Sequence, residues 1–416
     1  MSNPPPKRGR GLSGRPFVSH RDDRDYGTTV LSVLAGAPGA GRGILGFFDT
    51  REARAIRLVC SEFREAVAVA RWADAKTRIA RNAGAWRASF PRAIKANISV
   101  DFYDPPQYNA IVDADFVHFE GLHTLNMSCC SQAGITDAAF AHLKGIHTLN
   151  MSGRRQAGIT DAAFVHLKGI HSLDMSYCFR ARITDAAFAH LKGIHTLDMS
   201  GCHQSGITDA AFAHLKGIHM LNMSACRQAS ITDAAFAHLE GIHTLHMSYC
   251  DQVGITDAAF VHLKGIHTLI MPYCTQAGIT NAAFAHLKGI HMLFMLGCSQ
   301  EGITDAAFVH LKGIHTLDMS YCRQAGIADA AFAHLKGIHT LEMSYCEQAG
   351  ITNAAFTHLK GIRMLFMSYC NQAGITDAAF IHLNGIYTLS ITGCTQAGIT
   401  RALRDRLRAT VPHLLA

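Results

Sequence analysis

Cysteine and histidine recur in this chain at fixed spacing, and both side chains can bind metal, move protons or act as nucleophiles. The 416 residues include 13 Cys and 26 His. Cys130, Cys178, Cys202, Cys226, Cys250, Cys274, Cys298, Cys322, Cys346, Cys370 and Cys394 fall on one period of 24 residues, with Arg154 breaking the series. Zinc held by sequence-local thiolates needs a C-x-x-C pair, and the chain has none. A small buried thiol at a repeated turn is therefore the expected role. Histidine forms two rows on the same period, His142 to His382 and His123 to His339. No H-E-x-x-H metal signature occurs. Surface or half-buried imidazoles are expected, and stacked ones would repel on protonation below about pH 6.5. A catalytic site needs one asymmetric constellation, whereas these Ser and His residues repeat in every unit. No catalytic residue, metal site or cofactor is expected.

The elements that carry these residues follow from the period itself. Ile111, Ile135, Ile159 and so on to Ile399 recur every 24 residues without a slip, so residues 111–398 form twelve units. In Thr136-Asp137-Ala138-Ala139-Phe140-Ala141-His142-Leu143-Lys144-Gly145, the Thr-Asp pair predicts a helix start and Gly145 a left-handed stop. Lys144 suits the negative end of that helix. Then Ile146-x-x-Leu149-x-Met151 switches to period two, a short strand with Leu149 and Met151 inward. One helix and one strand are too little to fold alone, so the units must stack into a solenoid.

The run Ile-x-x-Leu-x-Met-x-x-Cys resembles the leucine-rich repeat, and the Cys with a following Ile-Thr-Asp is similar to its cysteine-containing subclass. The resemblance implies an α/β solenoid, a horseshoe of twelve 24-residue units with strands on the concave face and helices on the convex one. Solenoids bind on the concave surface, so the residues that differ between near-identical units locate a partner site. Ile270, Pro272, Tyr273, Met292, Phe294 and Leu296 form an apolar patch there. Asp174 with Asp198, and Asp318 with Glu342, stack like charges on neighbouring strands, and Phe366 adds a further aromatic. The expected partner is an unknown protein with an apolar anchor and Lys or Arg beside it; drift among duplicated copies would also produce such differences.

Residues 44–72 precede the repeats. Asp49-Thr50 predicts a helix start, and Ile56, Val59, Cys60 and Phe63 share one apolar face with Leu58 beside it. The segment resembles the F-box, through Ile44, Leu45, Phe47, Phe48, Asp49, Ala53, Leu58, Val59, Cys60, Phe63, Arg64 and Trp72. That resemblance implies a small all-α domain docking a Skp-type adaptor through Ile44, Leu45, Phe48, Leu58, Val59, Cys60 and Phe63. Taken without the resemblance, the same helices would be an ordinary cap on the first repeat. The expected organisation is a basic tail over 1–25, an F-box-like domain over 26–72, a linker and cap over 73–110 with a first strand within Ala93–Ile98, repeats over 111–398, and a capping helix over 399–416. In that helix Arg401, Arg404, Arg406 and Arg408 face water and Leu403 and Leu407 the last repeat.

Charge narrows the partners. Residues 1–110 carry a net +8, the repeats −4 and the last 18 residues +3, so a nucleic-acid surface on the repeats is disfavoured. No run approaches the roughly 20 apolar residues of a membrane span, and the start lacks an apolar leader. The expectation is an intracellular protein in cytoplasm or nucleus, monomeric outside its complex. Its expected function is the substrate-recognition subunit of an SCF-type cullin ubiquitin ligase; the alternative is a leucine-rich-repeat scaffold or inhibitor without a ubiquitin role.

Overall fold

The structure, a computed structural model, describes residues 48–59, 61–100, 110–130, 134–153, 158–178 and 182–416. The expected tail over 1–25, most of the F-box-like segment before Phe48, and Cys60 lie outside these residues. Two compact units divide the chain: residues up to Trp72 together with Ser89–Arg92, and Ala73–Ala88 together with Ala93–Ala416.

The first unit is built on helices α1 (Thr50–Ile56) and α2 (Ser61–Val69). Asp49 and Glu52 close α1 reciprocally: each carboxylate accepts the other's backbone N–H at 2.8 Å, which satisfies two amides that the first turn leaves without partners. Ala53, Ala66, Val67, Trp72 and Phe90 are buried. The Trp72 indole N–H donates to Thr50 Oγ1 at 3.1 Å while its ring stacks on Phe90 at 4.9 Å, so the amphipathic side chain has both its polar tip and its face engaged.

The second unit is one parallel sheet of 14 strands in sequence order. Three-residue strands run from Lys95–Asn97 and Thr124–Asn126, through one in each repeat, to Thr388–Ser390 and His413–Leu415. Between repeats the register is always residue i beside i+24, as in Leu149 beside Leu173. The period-two reading holds: the central Leu of each repeat strand and the Met or Ile two residues on are buried, while their neighbours face away from the core. Phe140 and its equivalents are fully buried across from them, and each unit's Ile, Ala, Leu and Cys positions join the same continuous core.

The structure corrects three expectations about elements. The helix expected from Thr136 to Gly145 is one α-turn, Asp137–Phe140, continued by a 3-10 turn, Ala141–Leu143. Lys144 then turns extended (φ −56, ψ 126) and Gly145 takes φ +81, while the Ile146 N–H donates to Leu143 O at 3.0 Å. This is a type II turn, which needs positive φ at its third residue; Lys144 is a turn residue and caps no dipole. The sheet has two more strands than repeats: Lys95–Asn97 is the first strand expected within Ala93–Ile98, and the other was not expected. At the C-terminal end the expected helix is Arg401–Thr410, but a strand, His413–Leu415, follows it and pairs with Thr388–Ser390. Arg404 does not face water: its guanidinium donates to Cys394 O. Leu403 and Leu407 are buried as expected. At the other end Arg87 donates to the carbonyls of His118, Ala93 and Glu120 at 2.6, 3.1 and 2.7 Å, anchoring the first strand's approach. No helix among the described residues is long and apolar enough to cross a membrane.

Candidate functional site

Three side-chain ladders tie each coil to the one before it. Each buried Cys thiol donates to the carbonyl that ends the preceding strand, as Cys202 does to Met175 O at 3.2 Å and Cys250 to Met223 O at 3.2 Å. Burial pushes the thiols of Cys202, Cys250 and Cys298 up to about 12, so the thiolate that metal binding or redox chemistry requires is suppressed. The expected structural role of the cysteines stands. The second ladder was not foreseen. Asp137 accepts both the N–H and the hydroxyl of Thr160, at 2.7 and 2.6 Å, and the same clasp recurs from Asp161 to Thr184 and from Asp233 to Thr256. In the third, Gln amides reach the preceding Cys carbonyl, Gln276 to Cys250 O at 2.6 Å for example. The oxygens of Gln252, Gln276 and Gln300 are buried with no protein donor, an arrangement that costs about 1–3 kcal/mol per group.

Aromatic columns line both ends of the strands. The imidazoles from His123 to His339 stack ring on ring, with centroids 4.3 Å apart at His123–His147 and 4.7 Å at His291–His315. Seven of these rings place Nδ1 beside the hydroxyl of the next Thr, as His243 does to Thr244 at 3.0 Å. Desolvation, then the charge of flanking rings, holds His147, His195, His243 and His315 below the ordinary imidazole value. At the strand exit, the position before each Cys is left-handed even where it is not glycine: Tyr249 has φ 56, Tyr273 57, Tyr345 59 and Ala225 55. Tyr249 stacks on Tyr273 at 4.9 Å, and Tyr321, Tyr345 and Tyr369 form a second pile at 4.3 and 4.6 Å. Gly297 separates the piles; a Cβ there would meet the Tyr273 ring at 2.5 Å. Spacing alone could have found this column, since Tyr, Gly, Ala and Cys alternate in it at one register.

The partner residues expected from the differences between units share the outer side of the sheet, those from Ile270 to Phe366 on adjacent strands and the pair Asp174 and Asp198 set apart from them by two strands. Ile270 is the register neighbour of Phe294, and Phe294 of Asp318. Asp318 neighbours Glu342, which neighbours Phe366. Met292, on the strand of Phe294, and Leu296, in the turn that follows it, are half-buried on either side of Phe294, and Tyr273 sits at the strand exit. Asp318 is the exception to the expected exposure: it is 7% exposed, covered by its neighbours. The two acidic pairs also differ. Asp174 Oδ1 accepts from the Ser176 N–H and hydroxyl at 3.0 and 2.7 Å. Asp198 does likewise from Ser200 at 2.9 and 2.7 Å and adds Asn222 Nδ2 at 2.8 Å. Asp318 accepts the Ser320 N–H at 2.9 Å, and Glu342 has Asp318 on one side and Phe366 on the other. Burial raises both, and for Glu342 the charge of Asp318 adds to it.

The expected adaptor residues belong to the first unit. Leu58 and Val59 are 84% and 71% exposed in the turn after α1. Phe48 and Phe63 are half-buried; Ile44, Leu45 and Cys60 lie outside the described residues. Arg54, Arg57 and Arg64 line one surface depression with Leu58. Partial burial, then repulsion from Arg64 and Arg54, lowers the Arg57 guanidinium.

Sheet, register and repeat define the second unit as a leucine-rich-repeat solenoid, and known structures agree. No protein-family model and no curated protein matches the chain in sequence. The chain is similar to Toll in the Drosophila Toll–Spatzle complex, at 16% identity over 74% of this chain and 44% of that one, with a TM-score of 0.55. It is also similar to TLR13 in its complex with ssRNA13, at 18% identity over 73% and 44%, with a TM-score of 0.58. The chain thus spans less than half the length of either, and at these identities the likeness concerns the fold.

Proposed function

We propose that this protein is a non-catalytic, intracellular recognition subunit. In this reading the first unit docks a Skp-type adaptor of an SCF-type cullin ubiquitin ligase, and the sheet face of the repeats, of the cysteine-containing kind, holds the protein to be modified. The observation that carries the docking half is the pair Leu58 and Val59, two large apolar side chains left to solvent at 84% and 71% exposure while Ala53, Ala66, Val67 and Trp72 of the same unit are buried. Exposed apolar groups of this size, grouped, mark contacts. The recognition half rests on the sheet face, where variation between otherwise uniform coils gathers Ile270, Phe294, Asp318, Glu342 and Phe366 in adjacent register.

Co-purification with the adaptor tests the docking half. Leu58→Ser with Val59→Ser is expected to abolish it without lowering the melting temperature, because neither side chain contributes core. Retained co-purification would leave the protein a repeat scaffold or inhibitor with no ubiquitin role. For the sheet face, Ile270→Ser with Phe294→Ser is expected to abolish capture of the bound protein at unchanged thermal stability; a large stability loss would make the patch core instead.

A further inference from the structure

We propose that the sheet face binds an extended peptide segment that presents a Lys or Arg side chain to Asp318 and Glu342 and an apolar side chain to Ile270, Phe294 and Leu296. This rests on the reading of the sheet face as a protein-recognition surface and adds the chemistry of the partner.

The charge on that face is one-sided. From Thr124–Asn126 to Thr388–Ser390, the strand positions facing away from the core carry Asp174, Asp198, Asp318 and Glu342 and not one Lys or Arg. Local donors settle the first pair, since both aspartates hold a Ser hydroxyl and N–H and Asp198 also holds the Asn222 amide. The second pair lacks the amide: the register neighbours of Asp318 are Phe294 and Glu342, and those of Glu342 are Asp318 and Phe366. Ser320 donates to Asp318 as the serines do in the first pair, but the two carboxylates, side by side between two phenyl rings, still repel, and no Lys or Arg on the outward strand positions offsets that. A partner's cation would.

The surroundings suit a side-chain cation rather than a bare ion. Tyr321 has Tyr345 stacked on one face at 4.3 Å, and on its other side the column holds Gly297, which brings no ring. The Tyr273 ring lies over Gly297, in the space that a side chain there would take. Tyr273 and Tyr321 thus stand on either side of Gly297 in the column, at the exits of the strands that border the one carrying Phe294, and Tyr321 follows the strand of Asp318. An ammonium or guanidinium gains from aromatic faces as well as from the acid, and its methylene stem gains from Phe294 and Leu296. A segment running along the face would set its apolar anchor two strands earlier, on Ile270.

Fluorescence anisotropy on the full chain tests this with two labelled peptides, acetyl-Gly-Leu-Gly-Arg-Gly-Arg-Gly-amide and its twin with Glu in place of Arg. The basic peptide is expected to bind and the acidic one not. Asp318→Asn with Glu342→Gln keeps the Ser320 contact and should weaken the basic peptide by about tenfold, the scale of one charge-assisted contact. Gly297→Tyr, which moves the Tyr273 ring off Gly297, should weaken it similarly; six described units already hold Tyr at this left-handed position, and an unchanged melting temperature checks that the variant folds. Asp174→Asn should change nothing. Equal binding of both peptides, no binding of either, or indifference to both sets of variants overturns the proposal. If a bound protein still depends on Ile270 and Phe294 while the peptides are silent, the recognition face stands and only this account of its partner falls.

Discussion

Single positions carry costs that their neighbours explain. A non-glycine residue at positive φ costs about 1–2 kcal/mol, and the tyrosines recover some of this by stacking at 4.3–4.9 Å. Ala225, at φ 55, has no ring to stack. Ala225→Gly is therefore expected to raise stability by up to about 1 kcal/mol in denaturant unfolding, the usual gain when glycine takes a left-handed site; a loss would mean that the column is not strained. Asp318 works in the same sense. Its carboxyl is raised by burial, so the charged form is the less stable one in the folded chain, and stability declines as pH rises from the unfolded value through the folded one. Asp318→Asn should accordingly raise the melting temperature at pH 7 while it weakens binding, the trade expected of a residue kept for recognition. The ladder thiols should stay silent to Ellman's reagent in the native protein and react in denaturant. Reaction in the native state would contradict the suppressed thiolate.

At the scale of elements, stability lies in bonds between coils more than within them. Asp233 clasps both the N–H and hydroxyl of Thr256; Asp233→Ala leaves them without that partner and is expected to cost about 1–3 kcal/mol. Asp233→Asn should cost far less, because Asn281 and Asn353 already hold Thr304 and Thr376 by donating Nδ2 and accepting with Oδ1. Denaturant midpoints for the two variants separate these outcomes. The histidine pile has the opposite dependence to Asp318. His147, His195, His243 and His315 are held below the ordinary value, so the unfolded chain binds protons first, and stability is complete above about pH 6.5 and declines as pH falls toward the folded values. A melting temperature equal at pH 5.5 and 7.5 would exclude this. Much of the element scale was legible in the sequence: the 24-residue period, the inward Leu and Met, the cysteine ladder and the rows of histidine all follow from spacing. The Asp–Thr clasp was not, since within one unit a Thr-Asp pair reads as a local cap and its second partner lies 23 residues away. The long helix failed for a related reason: Ala-rich propensity favours continuation, but the chain must return to the next strand within one coil, and a type II turn does so sooner.

Across the whole repeat unit, the variable positions located the sheet face, because inward residues in a stack of copies have no freedom to differ. Burial was beyond that reasoning: the four acids read alike as outward, yet Asp318, beside Phe294, is buried while Asp174, Asp198 and Glu342 are half-buried. The ends matter as much as the middle. Removing residues 399–416 would strip Leu403, Leu407 and the strand His413–Leu415 from the last coil and open a sheet edge, so the shortened protein is expected to associate in size-exclusion chromatography. The ladders have one more consequence. Every clasp reaches back one coil and meets the same atom there, so excising Ile207–Ser230 joins Ser205-Gly206 to Ile231-Thr232 with each partner still present, whereas excising half that length brings helix against strand. A coil gained or lost in this way between Ile270 and Asp318 would reset the distance from the apolar anchor to the acidic pair, whereas one gained or lost outside that interval would leave both as they are.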